Sequence, residues 1–119
     1  MAAKCYHTRK RKPMFEKYDH ESISGFEWDD LKRELNLVKH GIDFESAIEV
    51  FHGPIILHRS DRNSEERWTA LGYSDNRLIV VVFTRRADVI RIISARSARK
   101  NEEREYRNAK MGRSPEGQD

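Results

Sequence analysis

Apolar residues recur along this chain with two different periods. In the first half the period is helical. Leu31, Leu35 and Val38 stand at i, i+4 and i+7 on one helical face. Asp29 or Asp30 can cap the start of that helix, and Gly41 ends it as the residue just past the last turn. Asp43 can cap a second helix, with Phe44, Ala47, Ile48 and Phe51 on one face and Gly53-Pro54 as its stop. Ahead of both, Phe26-Glu27-Trp28 alternates apolar, polar, apolar and predicts a short edge strand. The second half reads as strands: Ile55–His58, Arg67–Leu71, Leu78–Thr84 and Val89–Ala95. Leu78–Thr84 is almost continuously apolar, which predicts a central strand. Arg59–Glu65 is a polar loop, and Ser74-Asp75-Asn76 and Arg86-Ala87-Asp88 are turns. Connections this short imply an antiparallel meander. Lys100–Lys110 closes the order as a helix rich in Glu and Arg, where Glu103 faces Arg107 four residues on. The expected order is βααββββα.

Val89–Arg99, VIRIISARSAR, is the most informative stretch. It has the β-branched content of a buried strand yet carries arginines. In a regular strand Ile90, Ile92, Ser94 and Arg96 share one face, and Val89, Arg91, Ile93 and Ala95 share the other. A charge within such a strand is costly to bury alone. Arg91 and Arg96 therefore either meet carboxylates or open onto a surface that receives an anion.

At 119 residues the chain is expected to form one domain. Its single cysteine, Cys5, excludes an internal disulfide framework and a cysteine-based zinc site, and the reducing cytoplasm is the expected compartment. No apolar run approaches the roughly 20 residues of a membrane helix. The net charge of +3 is unevenly spread. Residues 1–25 hold six Lys/Arg against three Asp/Glu, residues 26–53 three against seven, and residues 85–107 eight against four. The division expected is a flexible basic arm over 1–25, a folded domain over 26–110 and a flexible tail over 111–119. A basic C-terminal region suits a polyanion such as RNA; the plainer reading is a set of solvated or internally paired charges.

One combination of motifs goes further. Phe26-x-Trp28-Asp29-x-x-Lys32-x-x-x-Asn36-x-x-Lys39-His40-Gly41-Ile42-x-Phe44-x-x-Ala47 is followed by Val50-Phe51, Pro54, Glu66-Arg67 and Gly72. The series ends on Arg91-Ile92-Ile93-Ser94-Ala95-Arg96, Ala98, Arg104 and Tyr106. Over about residues 26–107 this resembles the BrnT family of bacterial type II toxins. The resemblance implies an α+β, RelE-like fold, with two N-terminal helices packed on an antiparallel four- to five-stranded sheet, plus a C-terminal helix. It implies a ribonuclease that cuts mRNA and arrests growth. The implied partner is a ribbon-helix-helix antitoxin, forming a hetero-oligomer that contacts operator DNA only as the complex and represses its own operon. Three features depart from the family: the N-terminal arm is extra, the loop Ser60–Glu65 lacks the histidine common in relatives, and Arg99 stands where relatives place a capping Ser or Thr before Glu102.

Cleavage of RNA without a metal or other cofactor needs a base for the 2′-hydroxyl proton, cations for the charge building on phosphoryl oxygens, and an acid for the leaving 5′-oxygen. The catalytic candidates are Lys39, His40, Arg67 and Arg96. Arg67 and Arg96 are phosphate clamps, since the guanidinium fork fits phosphate oxygens; Arg91 and Arg99 are further RNA-binding candidates. His40 is the natural acid or base, and Lys39 can act if neighbouring arginines lower its pKa. Against this, Lys39 and His40 lie in a helix's last turn, where its dipole favours cations for purely structural reasons. His52 and His58 fall outside the shared motifs. The alternative reading is a module of the same fold that binds antitoxin and nucleic acid without cutting.

Overall fold

The computed structural model describes residues 15–17 and 23–110. The α+β architecture expected from the sequence is present. Strand β1 (Phe15–Lys17) and β2 (Gly25–Glu27) precede helix α1 (Asp30–His40) and the short α2 (Phe44–Ala47), which runs into a 3-10 turn over Ile48–His52. A meander follows: β3 (Pro54–Arg59), β4 (Trp68–Ser74), β5 (Arg77–Arg86) and β6 (Val89–Ser97). Helix α3 (Lys100–Lys110) ends it. The sheet order is β1-β3-β4-β5-β6-β2.

Two features add to the expected antiparallel sheet. β2 pairs with β6 in parallel, Phe26 opposite Ile90. A parallel pair needs a long crossover, here everything from α1 to β5, so no local turn signal announces it. β1 lies antiparallel beside β3, Phe15 opposite Ile56, within the stretch read as an arm. The rest of that stretch, 1–14 and 18–22, and the expected tail, 111–119, lie outside the described residues.

The local signals act as read. The Asp29 carboxylate accepts hydrogen bonds from the Leu31 and Lys32 N–H groups, and Gly41 takes the left-handed conformation that closes α1, at φ 70°. Asp43 accepts from the Glu45 N–H. Asp75 and Asn76 both have positive φ, the geometry of a two-residue hairpin turn whose twist matches the strands. The polar loop after β3 is itself a small hairpin, with Arg62 bridging Glu65 across Asn63 and Ser64 at positive φ.

Two apolar clusters occupy the two faces of the sheet. On the first face Phe44, Ala47, Val50 and Phe51 pack over Ala70, Val81, Phe83, Ile90, Ile92 and Ala95, with the Phe51 ring edge-on to Phe83 at 5.1 Å. On the second face α3 covers Ile56, Leu71 and Val80 with Tyr106 and Ala109, joined by Ala98 from the link that precedes it. The Tyr106 hydroxyl donates to the Pro54 carbonyl at 2.9 Å and pins the helix to β3. Gly72 leaves room for the first-face cluster: a Cβ there would sit 2.9 Å from Ile55 Cγ2 and 3.0 Å from Val50 Cγ1. Gly72→Ala must push two buried methyl groups apart. We expect a loss of about 1–3 kcal/mol in unfolding free energy by urea titration.

α1 packs in an unexpected orientation. Its apolar face, Leu31, Leu35 and Val38, is 63%, 60% and 86% exposed. The face turned to the protein carries Arg33, Asn36 and His40. The reason is the β6 edge. β2 covers β6 only as far as Arg91, which leaves the Ala95 backbone facing outward from the sheet. Asn36 fills that gap. Its Nδ2 donates to the Ala95 and Ile42 carbonyls at 3.0 Å each, and its Oδ1 accepts from the Ala95 N–H at 3.1 Å. Arg33 adds a two-point contact to Asp43 at 2.7 and 3.1 Å. α1 is held by polar groups and not by its leucines.

Candidate nucleic-acid interface

The site begins with an irregularity in β6. Val82 lies opposite Ser94, but Phe83 lies opposite Ile92, so Ile93 is an extra residue without a partner on β5. This bulge shifts the alternation by one. Ile90, Ile92 and Ala95 all enter the first-face core, while Arg91, Ser94 and Arg96 fall together on the second face. The regular-strand expectation separated Arg91 from Arg96; the bulge unites them.

That second face is only partly roofed by α3. From the edge of the roof outward, His58, Thr69, Val82 and Ser94 lie side by side on β3, β4, β5 and β6, with about 4.8 Å between neighbouring strands. Thr84 and Arg91 form the next row. Arg67 joins them from β4, because its carbonyl accepts from the Ser60 N–H and so continues the β3–β4 ladder by one residue. The Thr84 hydroxyl donates to the Glu66 carbonyl at 2.8 Å and fixes the backbone just before Arg67. Arg96 lies opposite Val80 at the margin of α3.

Each of these cations has a carboxylate neighbour. Arg67 Nε donates to Glu65 at 2.8 Å and Arg91 Nη1 to Glu27 at 3.1 Å. Arg96 makes the strongest contact, two parallel hydrogen bonds to Glu102 at 2.9 and 2.8 Å. The fork holds the Glu102 carboxyl below the usual carboxylate range, helped by the Arg99 N–H, which donates to Glu102 Oε1 at 2.8 Å. The same contact raises the Arg96 guanidinium above its ordinary value. Half of a capping box survives at the start of α3, the half contributed by Glu102. His58 Nε2 lies 3.0 Å from Glu105, one helical turn further along α3.

The sequence-derived candidates are thus divided. Arg67, Arg91 and Arg96 share one sheet face. Arg99 lies at its margin, in the link to α3, and reaches it through its backbone N–H. Lys39 and His40 are in the last turn of α1, and among the described residues neither makes a hydrogen bond or ion pair to the arginines. Within that pair His40 is on the packed side of the helix, one turn beyond Asn36, and Lys39 is exposed. His58 is the residue that sequence reasoning set aside. Its signal was present: it stands two residues after Ile56, on the same side of β3, but which side faces the arginines depends on the sheet.

The face is a row of hydroxyls and guanidinium groups on a rigid sheet, with a histidine at one end. It can bind an anionic backbone at several points and places one imidazole beside them. Among the described residues no three His, Cys, Asp or Glu side chains gather as a metal site would require, and no helix is long and apolar enough to cross a membrane.

Comparison with known proteins bears on the same part of the chain. The family model described as "Ribonuclease toxin, BrnT, of type II toxin-antitoxin system" matches residues 28–102. Among solved structures, the chain is similar to the 1.1 Å crystal structure of the Brucella abortus ribonuclease toxin BrnT. The two share 29% sequence identity, the match covers 64% of this chain and 97% of that one, and the TM-score is 0.51. The search of curated proteins found no match.

Proposed function

The chain belongs to the BrnT family of ribonuclease toxins of type II toxin–antitoxin systems, and from that premise we propose that it cleaves mRNA on the second face of its sheet without a metal ion. The observation that supports this most is that the Ile93 bulge brings Arg91 and Arg96 to the face that Arg67 joins from the start of β4. Their carboxylate partners do not block such a role. Arg67–Glu65, Arg91–Glu27 and Arg96–Glu102 are partly buried pairs, and a phosphate backbone gripped at several points offers each guanidinium one anionic partner in place of another.

In this reading the 2′-hydroxyl attacks the adjacent phosphorus, and holding the nucleotide in line supplies much of the rate. Arg67 and Arg96 stabilise the charge on the phosphoryl oxygens. Arg91 and Arg99 bind the flanking backbone. Proton transfer falls to histidines: His58 on the face itself, with His40 at the α1 end as the second. Lys39, turned to solvent, is left out of the reaction. The antitoxin is a ribbon-helix-helix protein, the complex contacts operator DNA and represses its operon, and the toxin acts in the cytoplasm.

The decisive assay incubates the purified protein with long single-stranded RNA in EDTA. We expect cleavage that chelation does not reduce, leaving 2′,3′-cyclic phosphate ends. Loss of cleavage in EDTA, or 3′-hydroxyl ends, would overturn the metal-independent attack by the 2′-hydroxyl. No cleavage in EDTA, in magnesium or with translating ribosomes would favour the binding module.

A further inference from the structure

Among the described residues the outward face of α1 is left exposed. Among the described residues the large hydrophobics left exposed are Leu31, Leu35, Leu37, Val38 and Tyr73. Four of these five belong to one helix of 11 residues. At 100° per residue, Leu31, Leu35 and Val38 form a stripe on the side opposite Arg33, Asn36 and His40. The stripe has charged borders. Lys32 and Lys39 run along one side, and Asp30 and Glu34 along the other, all exposed. The helix beneath is fixed at three places, by the Asp29 cap, the Arg33–Asp43 contact and the Asn36–Ala95 hydrogen bonds. A rigid aliphatic stripe between two borders of opposite charge is a docking surface for a helix.

We propose that this face of α1 receives an amphipathic helix of the antitoxin, an inference that rests on the toxin–antitoxin reading above. The occupant presents aliphatic residues at i, i+3 or i+4, and i+7. It has acidic residues on the border that meets Lys32 and Lys39, and basic residues on the border that meets Asp30 and Glu34. A second copy of this chain fits less well. In an antiparallel two-fold pairing of α1 with itself, like borders meet, lysine against lysine. In a parallel pairing the charges agree, but a helix about 16 Å long offers far less than the roughly 800 Å² per partner of a stable interface. A separate protein can continue past α1 and add contact elsewhere. The stripe lies on α1 and the arginine face on the sheet, so antitoxin binding and RNA cleavage are separable by mutation.

The test uses the full chain and the small protein encoded by the reading frame adjoining its own, purified and mixed. Leu35→Glu/Val38→Glu changes two side chains that are already exposed. It should weaken the complex by about 30-fold or more, as expected for a central anchor, and leave thermal unfolding and RNA cleavage unchanged. Lys32→Glu, a milder change at the border, should weaken the complex by a few-fold, with the effect shrinking at high salt. Wild-type affinity in the double variant would overturn the proposal. So would a failure of the two proteins to associate, or a stable dimer of the isolated chain that the double variant abolishes. A chain that binds through the stripe but never cuts RNA would instead retain this proposal and remove the ribonuclease reading.

Discussion

Asn36→Leu is expected to destabilise the domain by about 3–5 kcal/mol, a large share of the roughly 5–15 kcal/mol that holds a typical domain folded. Asn36 is nearly buried, and its amide serves three backbone groups: the Ala95 N–H, the Ala95 carbonyl and the Ile42 carbonyl. Leucine keeps the branched four-atom side chain but is bulkier, and it removes every partner. An intramolecular hydrogen bond contributes about 1 kcal/mol net, but a buried group left unpaired costs about 1–3 kcal/mol. Three such groups at one site place the loss well above that of an ordinary surface change. Asn36→Asp adds a sign test. The ionised carboxylate still accepts from the Ala95 N–H but faces two carbonyls, which favours its protonated form and raises its folded-state pKa. Stability gained on protonation is present at low pH and lost as pH rises through that raised value. Urea unfolding of Asn36→Asp at two pH values should therefore show the smaller deficit under acid. A loss below about 1 kcal/mol for Asn36→Leu would mean that water replaces the amide at the β6 edge.

The same residue marks where the sequence misleads. The helical period of Leu31, Leu35 and Val38 correctly placed α1, yet the rule that an apolar stripe faces the core gives its orientation backwards. Periodicity tells where a helix is and which residues share a side. It does not tell which neighbour lacks a partner. Here the open β6 edge attracts an amide, and the stripe is left for something else. The meander was legible because its turns are local: Asp75-Asn76 fixes one short hairpin by its own tolerance of positive φ, and the turn at Ala87-Asp88 is as short. The parallel β2–β6 pair was not, since its two strands are more than 60 residues apart. The absent Ser or Thr before Glu102 was visible, but not that Glu102 would keep both the Arg99 N–H and the Arg96 side chain.

For the arginine face, composition reported a basic C-terminal region and the motif singled out Arg67, Arg91 and Arg96. What sequence reading could not supply was the phase of β6. A single extra residue at Ile93 decides whether Arg91 and Arg96 are neighbours or lie on opposite sides of a sheet. The bulge follows from packing: Ile90, Ile92 and Ala95 can all enter one core only if the alternation slips between Ile92 and Ala95. His58 became a candidate for a similar reason, since its proximity to the arginines is a property of sheet order.

Arg96→Ala is expected to lower RNA cleavage by about 100-fold or more, the scale seen when a donor to a developing oxyanion is removed. It also cuts the tie between β6 and α3, because Glu102 loses its two-point partner. Glu102→Gln separates the two roles. It removes the negative charge while leaving the guanidinium on the face, so α3 is held less firmly but Arg96 is freer to meet phosphate. If Arg96 binds RNA, Glu102→Gln keeps cleavage at or above the wild-type rate. If Arg96 is only a tether, Glu102→Gln reproduces the activity loss of Arg96→Ala. The pH dependence of stability supplies the tether's own readout. Glu102 has a lowered pKa in the folded chain, so its contribution is present above the ordinary carboxylate value and disappears as pH falls through the depressed one. Wild-type stability should decline over that acid range, and Glu102→Gln should decline less. A decline equal in both proteins would show that other carboxylates, such as Asp43 beside Arg33, carry the acid sensitivity, and would leave the cleavage rates to decide the role of Arg96.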